Sequence, residues 1–465
     1  MYDLIVIGAG PGGYVAAIRA AQLGMKTLVI EKDAPGGTCL NVGCIPAKTL
    51  YKDAQVVEYF AHAADYGVVC DGFRTDLELV QARKRRVVET LVNGVAHLFK
   101  ANGVDYVQGD ARFVSKDTLE VTDAQGKALR YQAERVLLAT GSKNAMPPVP
   151  GIQEQGVITS REALSLEAAP KHLVIIGGGV IGIEFAGIYK AFGSEVTVIE
   201  LLPSILPTMD GELSKRLKAS LAKRGIRILT ATKVEKIEKD GNALKVATAG
   251  AKAESVACDC VLVAVGRIPC TDGLGLEGIG VELNRGAVRV DENYQTSVPG
   301  VYAVGDVTGR VMLAHVASAE GVAAVERMQG MHTAVDYAQI PSAVFTFPEM
   351  AGIGLTEEQL KEKGLPYVAG KATFSGNGKA LTMNDTEGMI KVLASEDLSE
   401  IYGVHILGPN ASDLITEAAA AMHGMFTVEE VAQIMHGHPT LSEVFMEAVN
   451  GLLGKAIHGA AARKK

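Results

Sequence analysis

The 465-residue sequence lacks the features of a nucleic-acid-binding or membrane protein. Its formal net charge is −8, so there is no basic excess to match a phosphate backbone. The most apolar window, residues 173–192, contains Glu184, Lys190 and five glycines, which makes it a poor membrane span. The short basic run at residues 83–86 is expected to form the solvated face of a helix. The length predicts about two to four globular domains.

The sequence also has little that would direct the chain to an oxidising compartment. An apolar run at residues 4–7 begins soon after Met1, which leaves no room for a charged leader or transit peptide. We expect a cytoplasmic protein, or a mitochondrial matrix protein whose presequence has been removed. There are six cysteines, and Cys39 and Cys44 lie close together. In a long chain without a secretory signal, such a pair favours redox or metal chemistry over structural disulfides.

Glycine is abundant, at 52 residues, and two glycine-rich segments repeat one pattern. In each copy an apolar strand is followed by GxGxxG, a helical run and, 23 positions after the first glycine, Glu31 or Glu200. The glycines let the backbone approach a pyrophosphate, the helix start offers N–H groups, and the glutamate accepts hydrogen bonds from a ribose. One copy could be an ordinary glycine turn, but two full copies predict two dinucleotide sites. The glycines are Gly8, Gly10 and Gly13 in the first copy and Gly177, Gly179 and Gly182 in the second.

Proline-containing breaks at residues 147–151 and 340–341 divide the chain. We predict an α/β protein with two doubly wound, Rossmann-like dinucleotide-binding domains and a C-terminal α+β domain. In the C-terminal part, residues 389–393 and 401–407 are expected to form antiparallel strands. The predicted domains are 1–147 together with 269–338, an inserted second nucleotide domain at 148–268, and a C-terminal domain at 339–465.

The cysteine pair lies in the segment 36–48, just after the first repeat. Five positions along a regular helix place two Cα atoms too far apart for a disulfide, whose limit is about 7 Å. Gly43 permits a distortion that would let Cys39 and Cys44 bridge, and a thiol near a helix start can have a lowered pKa. Two buried structural cysteines are an alternative. Zinc is another, although Cys258-Asp-Cys260 is expected to alternate across one strand and supplies no second metal-binding pair.

A second signal, His436-Gly-His438-Pro-Thr440-Leu-Ser-Glu443, lies near the end of the chain. Only a thiolate attacks a disulfide, so a redox pair needs a base, and a carboxylate beside an imidazole fixes its tautomer. Thr440-x-x-Glu443 is also the pattern of a capping box at a helix start. A metal pair formed by His436 and His438 is a further alternative.

Together the two repeats, the cysteine motif and the histidine motif resemble the family of pyridine nucleotide–disulfide oxidoreductases over the whole chain. The resemblance implies FAD at the first repeat, NAD at the second and no metal. It also implies that Cys39 and Cys44 cycle between disulfide and dithiol, with Cys44 nearest the flavin and Cys39 exchanging with substrate. His438 would be the acid–base, oriented by Glu443.

The resemblance also implies two sets of cofactor-binding residues, in which Lys48 and Glu184 pair beneath the flavin ring. The FAD-binding residues would be Gly8, Gly10, Gly13, Glu31, Thr38, Lys48, Ala111, Ser142, Asp306 and Ala314. The NAD-binding residues would be Gly177, Gly179, Ile181, Gly182, Glu184, Glu200, Val234 and Gly266.

A homodimer is implied as well, because in this family the C-terminal domains form the interface and bring each histidine to the partner's disulfide. The apolar residues 418–422 and Met425 are expected to supply interface surface. The alternative is that they pack only within their own domain.

Within the family, Glu200 favours NAD over NADP because its carboxylate would repel a 2′-phosphate, and residues 201–210 contain no Arg or Lys. Cys270 is the last cysteine, so the C-terminal pair of mercuric reductases is missing, and the presence of Cys39 argues against a soluble transhydrogenase. The implied reaction is oxidation of protein-bound dihydrolipoyl groups by NAD⁺. The implied partners are lipoyl domains of 2-oxoacid dehydrogenase complexes or the glycine-cleavage carrier protein. The alternatives are another NADH-linked disulfide reductase or diaphorase, and a non-catalytic flavoprotein assembly subunit.

Overall fold

A computed structural model describes residues 1–241, 243–251 and 253–458. In its first part, parallel strands in the order β3-β2-β1-β6 form a sheet that β5 and β4 extend with antiparallel pairing. Residues 4–7 of β1 are all apolar and buried because both faces of the sheet are covered, one by helices α1, α4 and α9 (Ala314–Met328) and the other by strands β4 and β5 with residues from the segment 274–307. The elements are β1 (Tyr2–Ile7), α1 (Pro11–Gln22), β2 (Thr27–Glu31), α2 (Gly37–Val42), α3 (Cys44–Ala61), α4 (Leu77–Ala101), β3 (Asp105–Gln108), β4 (Asp110–Ser115), β5 (Thr118–Thr122), β6 (Ala128–Leu138) and β7 (Ser142–Asn144).

The second part repeats this plan with a parallel sheet in the order β11-β10-β9-β15-β8 and an antiparallel sheet of β12, β13 and β14. Its elements are β8 (Val157–Thr159), α5 (Ser160–Ala163), β9 (His172–Ile176), α6 (Val180–Ala191), β10 (Glu195–Ile199), α7 (Gly211–Lys223), β11 (Ile226–Leu229), β12 (Thr232–Asp240), β13 (Ala243–Gly250), β14 (Ser255–Cys258) and β15 (Cys260–Val263). The expectation that Cys258 and Cys260 share one strand is wrong. They belong to different sheets because the chain turns at Asp259, whose carboxylate accepts a hydrogen bond from the His172 amide.

The chain then returns to the first sheet, where β19 pairs in parallel with β6. Helix α9 packs against α1 so closely that a Cβ on Gly321 would lie 2.5 Å from the Gly12 carbonyl oxygen. This return supports the proposed grouping of residues 269–338 with the first domain, and the domain boundaries themselves stay a prediction. The elements are β16 (Arg267–Pro269), α8 (Leu276–Ile279), β17 (Leu283–Asn284), β18 (Ala287–Val288), β19 (Val301–Ala303) and α9 (Ala314–Met328).

The C-terminal part is built on an antiparallel sheet in the order β20-β21-β24-β23-β22. The prediction of antiparallel strands at residues 389–393 and 401–407 is confirmed, and the two strands pair with each other. The elements are β20 (Ser342–Val344), β21 (Glu349–Gly354), α10 (Glu357–Lys363), β22 (Val368–Thr373), α11 (Gly378–Thr382), β23 (Met389–Ala394), β24 (Ile401–Gly408), α12 (Ala411–His423), α13 (Val428–Ala432) and α14 (Glu443–Leu452).

The expected interface surface on α12 is largely buried within its own domain. Ala418, Ala421 and Met422 belong to the core between this helix and the sheet, because α12 lies across β21 and β24. The expectation is therefore wrong for these three residues. Met425, by contrast, is 84% exposed.

The basic run at residues 83–86 is only partly solvated. Lys84 is buried and its Nζ donates a hydrogen bond to the Leu164 carbonyl oxygen at 2.6 Å, while Arg83 pairs with Asp53 at 2.8 Å. Helix α4 thus uses long basic side chains to dock onto its neighbours. Among the described residues, no helix combines the length and apolarity needed to cross a membrane.

Candidate active site

A cavity of about 2190 Å³ lies at the carboxyl ends of the two parallel sheets. It is more than twice the roughly 1,000 Å³ of a large small-molecule site, so it has room for two dinucleotides. Most of the residues that the sequence singles out line it: Gly8, Gly10, Glu31, Thr38, Cys39, Cys44, Lys48, Ala111, Ser142, Gly177, Gly179, Ile181, Glu184, Glu200, Val234, Gly266, Asp306 and Ala314. Four lie outside its lining: Gly13, Gly182, His438 and Glu443.

One end of the cavity is formed by residues 8–13 together with Glu31, which we term the first cradle. Gly8 has φ +101°, and a Cβ there would lie 2.3 Å from the Ala139 carbonyl oxygen. A Cβ on Gly13 would lie 1.9 Å from the Gly8 carbonyl oxygen, so this glycine lets α1 approach β1 and does not face the cavity. Glu31 Oε2 accepts a hydrogen bond from the Ala9 amide at 2.7 Å, which holds the carboxylate at the rim.

Residues 177–182 and Glu200 form a second cradle with the same geometry. Gly177 has φ +113°, and a Cβ on Gly182 would lie 2.1 Å from the Gly177 carbonyl oxygen. Glu200 Oε2 accepts from the Gly178 amide at 2.5 Å, in the same way as Glu31 accepts from the Ala9 amide. A Cβ on Gly179 would meet open space. The internal repeat of the sequence is therefore a repeat of two equivalent binding surfaces.

The two cysteines meet where the helical chain is interrupted. Helix α2 ends at Val42 and α3 begins at Cys44, with Gly43 between them at φ −145° and ψ −113°. A Cβ on Gly43 would lie 2.8 Å from the Thr38 carbonyl oxygen, so this close approach requires glycine. Both cysteines are free thiols, and they share a hydrogen bond. The structure thus describes a dithiol, and the disulfide of the oxidised protein stays a prediction.

The two thiols differ in acidity. The hydrogen bond from Cys39, helped by the Lys48 ammonium and opposed by burial, lowers the pKa of Cys44 to about 7. The same hydrogen bond and burial raise the pKa of Cys39. Cys44 is therefore the sulfur that carries negative charge near neutral pH, and it opens α3, where free helix amides favour an anion.

The ion pair predicted between Lys48 and Glu184 is present. Lys48 Nζ lies 2.8 and 3.0 Å from the two carboxylate oxygens of Glu184. Lys48 is one turn after Cys44 on α3, and Glu184 is a buried residue of α6 in the second nucleotide part. The pair therefore joins the cysteine helix to the second cradle.

Glu443 contacts both of its predicted partners through different oxygens. Oε1 lies 2.9 Å from His438 Nδ1, and Oε2 accepts from the Thr440 amide at 2.9 Å. The reciprocal half of the predicted capping box is missing within the described residues, because α14 begins at Glu443 and the Thr440 hydroxyl donates to Gly437 instead. These hydrogen bonds, first the one from the Thr440 backbone, lower the pKa of Glu443.

The His438 side chain is 77% exposed, and it does not line the cavity that contains the cysteines. Within one chain, therefore, His438 and the cysteine pair do not share a cavity. The side chain of His436 is 4% exposed, and its Nε2 lies 2.5 Å from Glu417 Oε1, so it is an internal partner of α12. Nowhere in the described ranges do three or more potential metal ligands cluster.

Several residues that support the site do not line the cavity, and the sequence did not predict them. Glu320 is 1% exposed, and its carboxylate accepts hydrogen bonds from the Gly305 amide and the Tyr337 hydroxyl, both at 2.6 Å. It thereby fixes the turn that presents Asp306, whose carboxylate accepts from the Ser142 hydroxyl. Glu320 lies inside a helix far along the chain, and no local pattern distinguishes it from a surface glutamate.

A dithiol where two dinucleotide cradles meet defines a class of protein, the disulfide oxidoreductases that bind two dinucleotides. The chain belongs to the pyridine nucleotide–disulphide oxidoreductase family, whose model matches residues 2–321. Residues 340–449 match the dimerisation domain of the same family. This domain supports a homodimer.

Similar proteins match over nearly the whole chain. Dihydrolipoyl dehydrogenase 2, mitochondrial, of Arabidopsis thaliana is 43% identical over 98% of this chain and 91% of its own length. The mitochondrial dihydrolipoyl dehydrogenase of Caenorhabditis elegans is 44% identical over 98% of this chain and 94% of its own length. Among solved structures, LpdA from Mycobacterium tuberculosis has a TM-score of 0.89 at 28% identity, covering 97% of this chain and 99% of that one. The HOCl-induced flavoprotein disulfide reductase RclA from Escherichia coli has a TM-score of 0.86 at 30% identity, covering 95% and 98%.

FAD and NAD are the cofactors of this family, and the two cradles fit them. Helices α1 and α6 each follow a glycine at the N-cap position, Gly10 or Gly179, with no side-chain cap from the described residues. The free amides of the first turn, which in α1 come after Pro11, are therefore left to a pyrophosphate. A Cβ on Gly141 or Gly266 would meet open space, as expected where a ligand lies against the backbone.

Proposed function

We propose that this protein oxidises protein-bound dihydrolipoyl groups to lipoyl groups and reduces NAD⁺, through FAD and the Cys39–Cys44 pair. The observation that carries the proposal is the Cys39–Cys44 dithiol in the cavity shared by the two cradles. The identity of 43–44% to dihydrolipoyl dehydrogenases over 98% of the chain supports the choice of substrate.

The sulfur chemistry begins from the oxidised Cys39–Cys44 disulfide. One substrate thiol loses its proton to His438, and the resulting thiolate attacks Cys39 Sγ, which releases Cys44 as a thiolate. The proton of the second substrate thiol passes by way of His438 to the leaving Cys39 sulfur, and the resulting substrate thiolate attacks the mixed disulfide, closes the lipoyl ring and releases Cys39 as a thiol. The Cys39 thiol and the Cys44 thiolate now hold the two electrons of the substrate, and His438 holds one proton. The low pKa of Cys44 and the high pKa of Cys39 fit these different roles.

Bound FAD supplies a two-electron carrier between Cys44 and the nicotinamide. The first cradle, with Glu31, Ser142 and Asp306 at its surface, would hold it. The second cradle would hold NAD through Glu200 and the amides of α6. The Lys48 ammonium stabilises the Cys44 thiolate electrostatically, and the buried Glu184 keeps that ammonium in place.

We further propose that His438 acts on the disulfide of the partner subunit. The exposed position of His438 outside its own cavity supports this composite site. Met425 and Met435, at 84% and 95% exposure, provide adaptable apolar surface in the same region of the dimerisation domain. The Cys–Cys pair and its base would then come together only in a dimer.

The lipoyl group would arrive on a partner protein, a lipoyl domain of a 2-oxoacid dehydrogenase complex or the glycine-cleavage carrier protein. A cytoplasmic location stays a prediction.

The test is turnover of purified protein with dihydrolipoamide and NAD⁺, followed as NADH formation and accompanied by measurement of bound flavin. We expect a yellow protein that forms one NADH for each dihydrolipoamide consumed. Glutathione disulfide and NADPH serve as the matched alternative pair. Efficient turnover with that pair and none with dihydrolipoamide would assign the chain to another disulfide reductase, and absence of thiol turnover with bound flavin would favour an assembly subunit.

A further inference from the structure

Phe345 contacts both members of the Lys48–Glu184 pair. The Lys48 Nζ lies over the Phe345 ring, 4.6 Å from its centroid. The Phe345 backbone amide donates a hydrogen bond to Glu184 Oε1 at 3.0 Å. Phe345 therefore contacts the Lys48 ammonium through its ring face and the Glu184 carboxylate through its backbone amide.

Phe345 belongs to the C-terminal part of the chain, directly after strand β20, whose residues 342–344 line the cavity. Its ring packs edge-on against Tyr51, with centroids 5.7 Å apart. Tyr51 lies two turns after Cys44 on α3, and its hydroxyl donates to the Thr346 carbonyl oxygen at 2.9 Å. The segment is thus fixed against the same helix that carries Cys44 and Lys48.

We propose that Phe345 is a positioning residue that holds the Lys48 ammonium beside Cys44, so that the dimerisation domain sets the charge at the reactive thiolate. This inference rests on the proposed roles of Cys44 and Lys48. It assigns to the C-terminal domain a contribution to the redox centre of its own chain, separate from the histidine it would offer to its partner.

The physical basis is the negative face of an aromatic ring, which attracts an ammonium group. The Lys48 side chain is 32% exposed, so nothing but its contacts keeps the ammonium from turning toward water. Glu184 alone fixes the ammonium at one side, and the ring supplies a second fixed point. Loss of the ring would let Lys48 move and become more screened, which would weaken its stabilisation of the thiolate.

The titratable groups facing Cys44 come from three elements: Cys39 from α2, Lys48 from α3 and Glu184 from α6. A change in the position of Lys48 therefore appears directly in the titration of Cys44. The measurement is a pH titration of the reduced holoenzyme, using the long-wavelength absorbance that a thiolate gives beside oxidised flavin. This readout reports the charge at one sulfur, which a general loss of stability would not shift.

Two variants weaken the attraction between the ring and the Lys48 ammonium in different ways. Phe345→Leu keeps apolar volume, and a ring-fluorinated phenylalanine at position 345 keeps the shape but withdraws electron density from the face. Phe345→Tyr restores an electron-rich ring. The matched control is Phe347→Leu, because the Phe347 ring packs on the same Tyr51 and lies 5.4 Å from the Arg224 guanidinium, away from Lys48.

We expect Phe345→Leu to raise the midpoint of the Cys44 titration by about half a pH unit, which is about a threefold fall in the ratio of thiolate to thiol at a given pH. The fluorinated residue should raise it by less, while Phe345→Tyr and Phe347→Leu should keep the wild-type midpoint. An unchanged midpoint in the fluorinated protein, or an equal shift in Phe347→Leu, would overturn the proposal. Wild-type protein that shows neither a thiolate titration nor dihydrolipoamide turnover would instead contradict the proposed function. If Phe345→Leu does not retain flavin, the fluorinated protein decides the matter.

Discussion

The first and second cradles have the same backbone geometry, yet their surroundings differ. After strand β6, Thr140 is half-buried and its hydroxyl donates to the Cys270 carbonyl oxygen at 2.7 Å. At the equivalent position after β15, Val265 is 43% exposed, and Leu201 beside Glu200 is 65% exposed. Helices α2 and α9 also close over the first cradle, because α9 packs tightly on α1. One motif thus gives a covered site suited to a resident cofactor and an open site suited to a cofactor that exchanges.

The largest expected effect comes from removing the Cys44 thiol, which tests the sulfur chemistry without changing either cradle. Cys44→Ser removes the thiolate but changes neither glycine motif, so dihydrolipoamide turnover should fall by about a thousandfold or more, in the range of other lost nucleophiles. Flavin should remain bound, and NADH should still reduce it. Flavin content measures whether the cofactor stays bound, and the rate at which NADH bleaches the flavin measures the reaction between the two cofactors. Full turnover in this variant would remove the redox assignment of the pair.

Cofactor choice tests the second cradle. A 2′-phosphate would meet the buried Glu200 carboxylate, and residues 201–210 offer no cation to bind it, so desolvation and repulsion oppose NADP. We expect kcat/KM for NAD⁺ to exceed that for NADP⁺ by a factor on the order of a hundred, since each 1.4 kcal/mol is about tenfold. The measurement is steady-state kinetics with both nucleotides, and comparable values would contradict the role of Glu200.

Equivalent glycine substitutions sharpen the comparison between the cradles. Gly13→Ala and Gly182→Ala each place a Cβ near 2 Å from a carbonyl oxygen, at 1.9 and 2.1 Å. The clash should weaken cofactor binding roughly tenfold or more in each case. Gly13→Ala should lose FAD during purification. Gly182→Ala should keep FAD and raise the KM for NAD⁺. Loss of flavin from both variants would show that the cradles are not functionally separate.

The smallest expected effect concerns His438, which belongs to neither cradle and does not line the cavity. Cys44→Ser and His438→Gln chains are each expected to be inactive alone. Refolded together in equal amounts, they should regain roughly a quarter of wild-type activity, because half the dimers are mixed and each has one intact composite site of two. Activity of the mixture is measured against wild-type protein treated in the same way. No recovery despite proven mixed dimers would assign His438 to its own chain or remove it as the base.

Several features of the site could be predicted from local sequence. Both cradles, the strand pair at 389–393 and 401–407, and the helix break at Gly43 depend on glycine and apolar patterns within short segments, and the structure contains all of them. The burial of Lys84 could not be predicted this way, because its acceptor, the Leu164 carbonyl oxygen, is 80 residues away. The prediction that Ala418 and Ala421 supply interface surface is wrong for the same reason, because their helix packs against β21, which is distant in sequence. A helix with two apolar faces does not reveal which face covers its own sheet.

The sequence alone determined the family, the two dinucleotide motifs and which cysteine pair is proposed to carry the redox chemistry, because each depends on residues that are neighbours along the chain. Tertiary structure decided which thiol is acidic, since the hydrogen bond and the Lys48 charge at Cys44 depend on side-chain placement. It also decided that Glu184 and Phe345, distant in sequence, would meet Lys48. Glu320 belongs to the same group, as a buried carboxylate paired with Gly305 and Tyr337. Such contacts arise only when separate elements pack together, because burial and charge at a given atom are set by whatever the fold brings beside it.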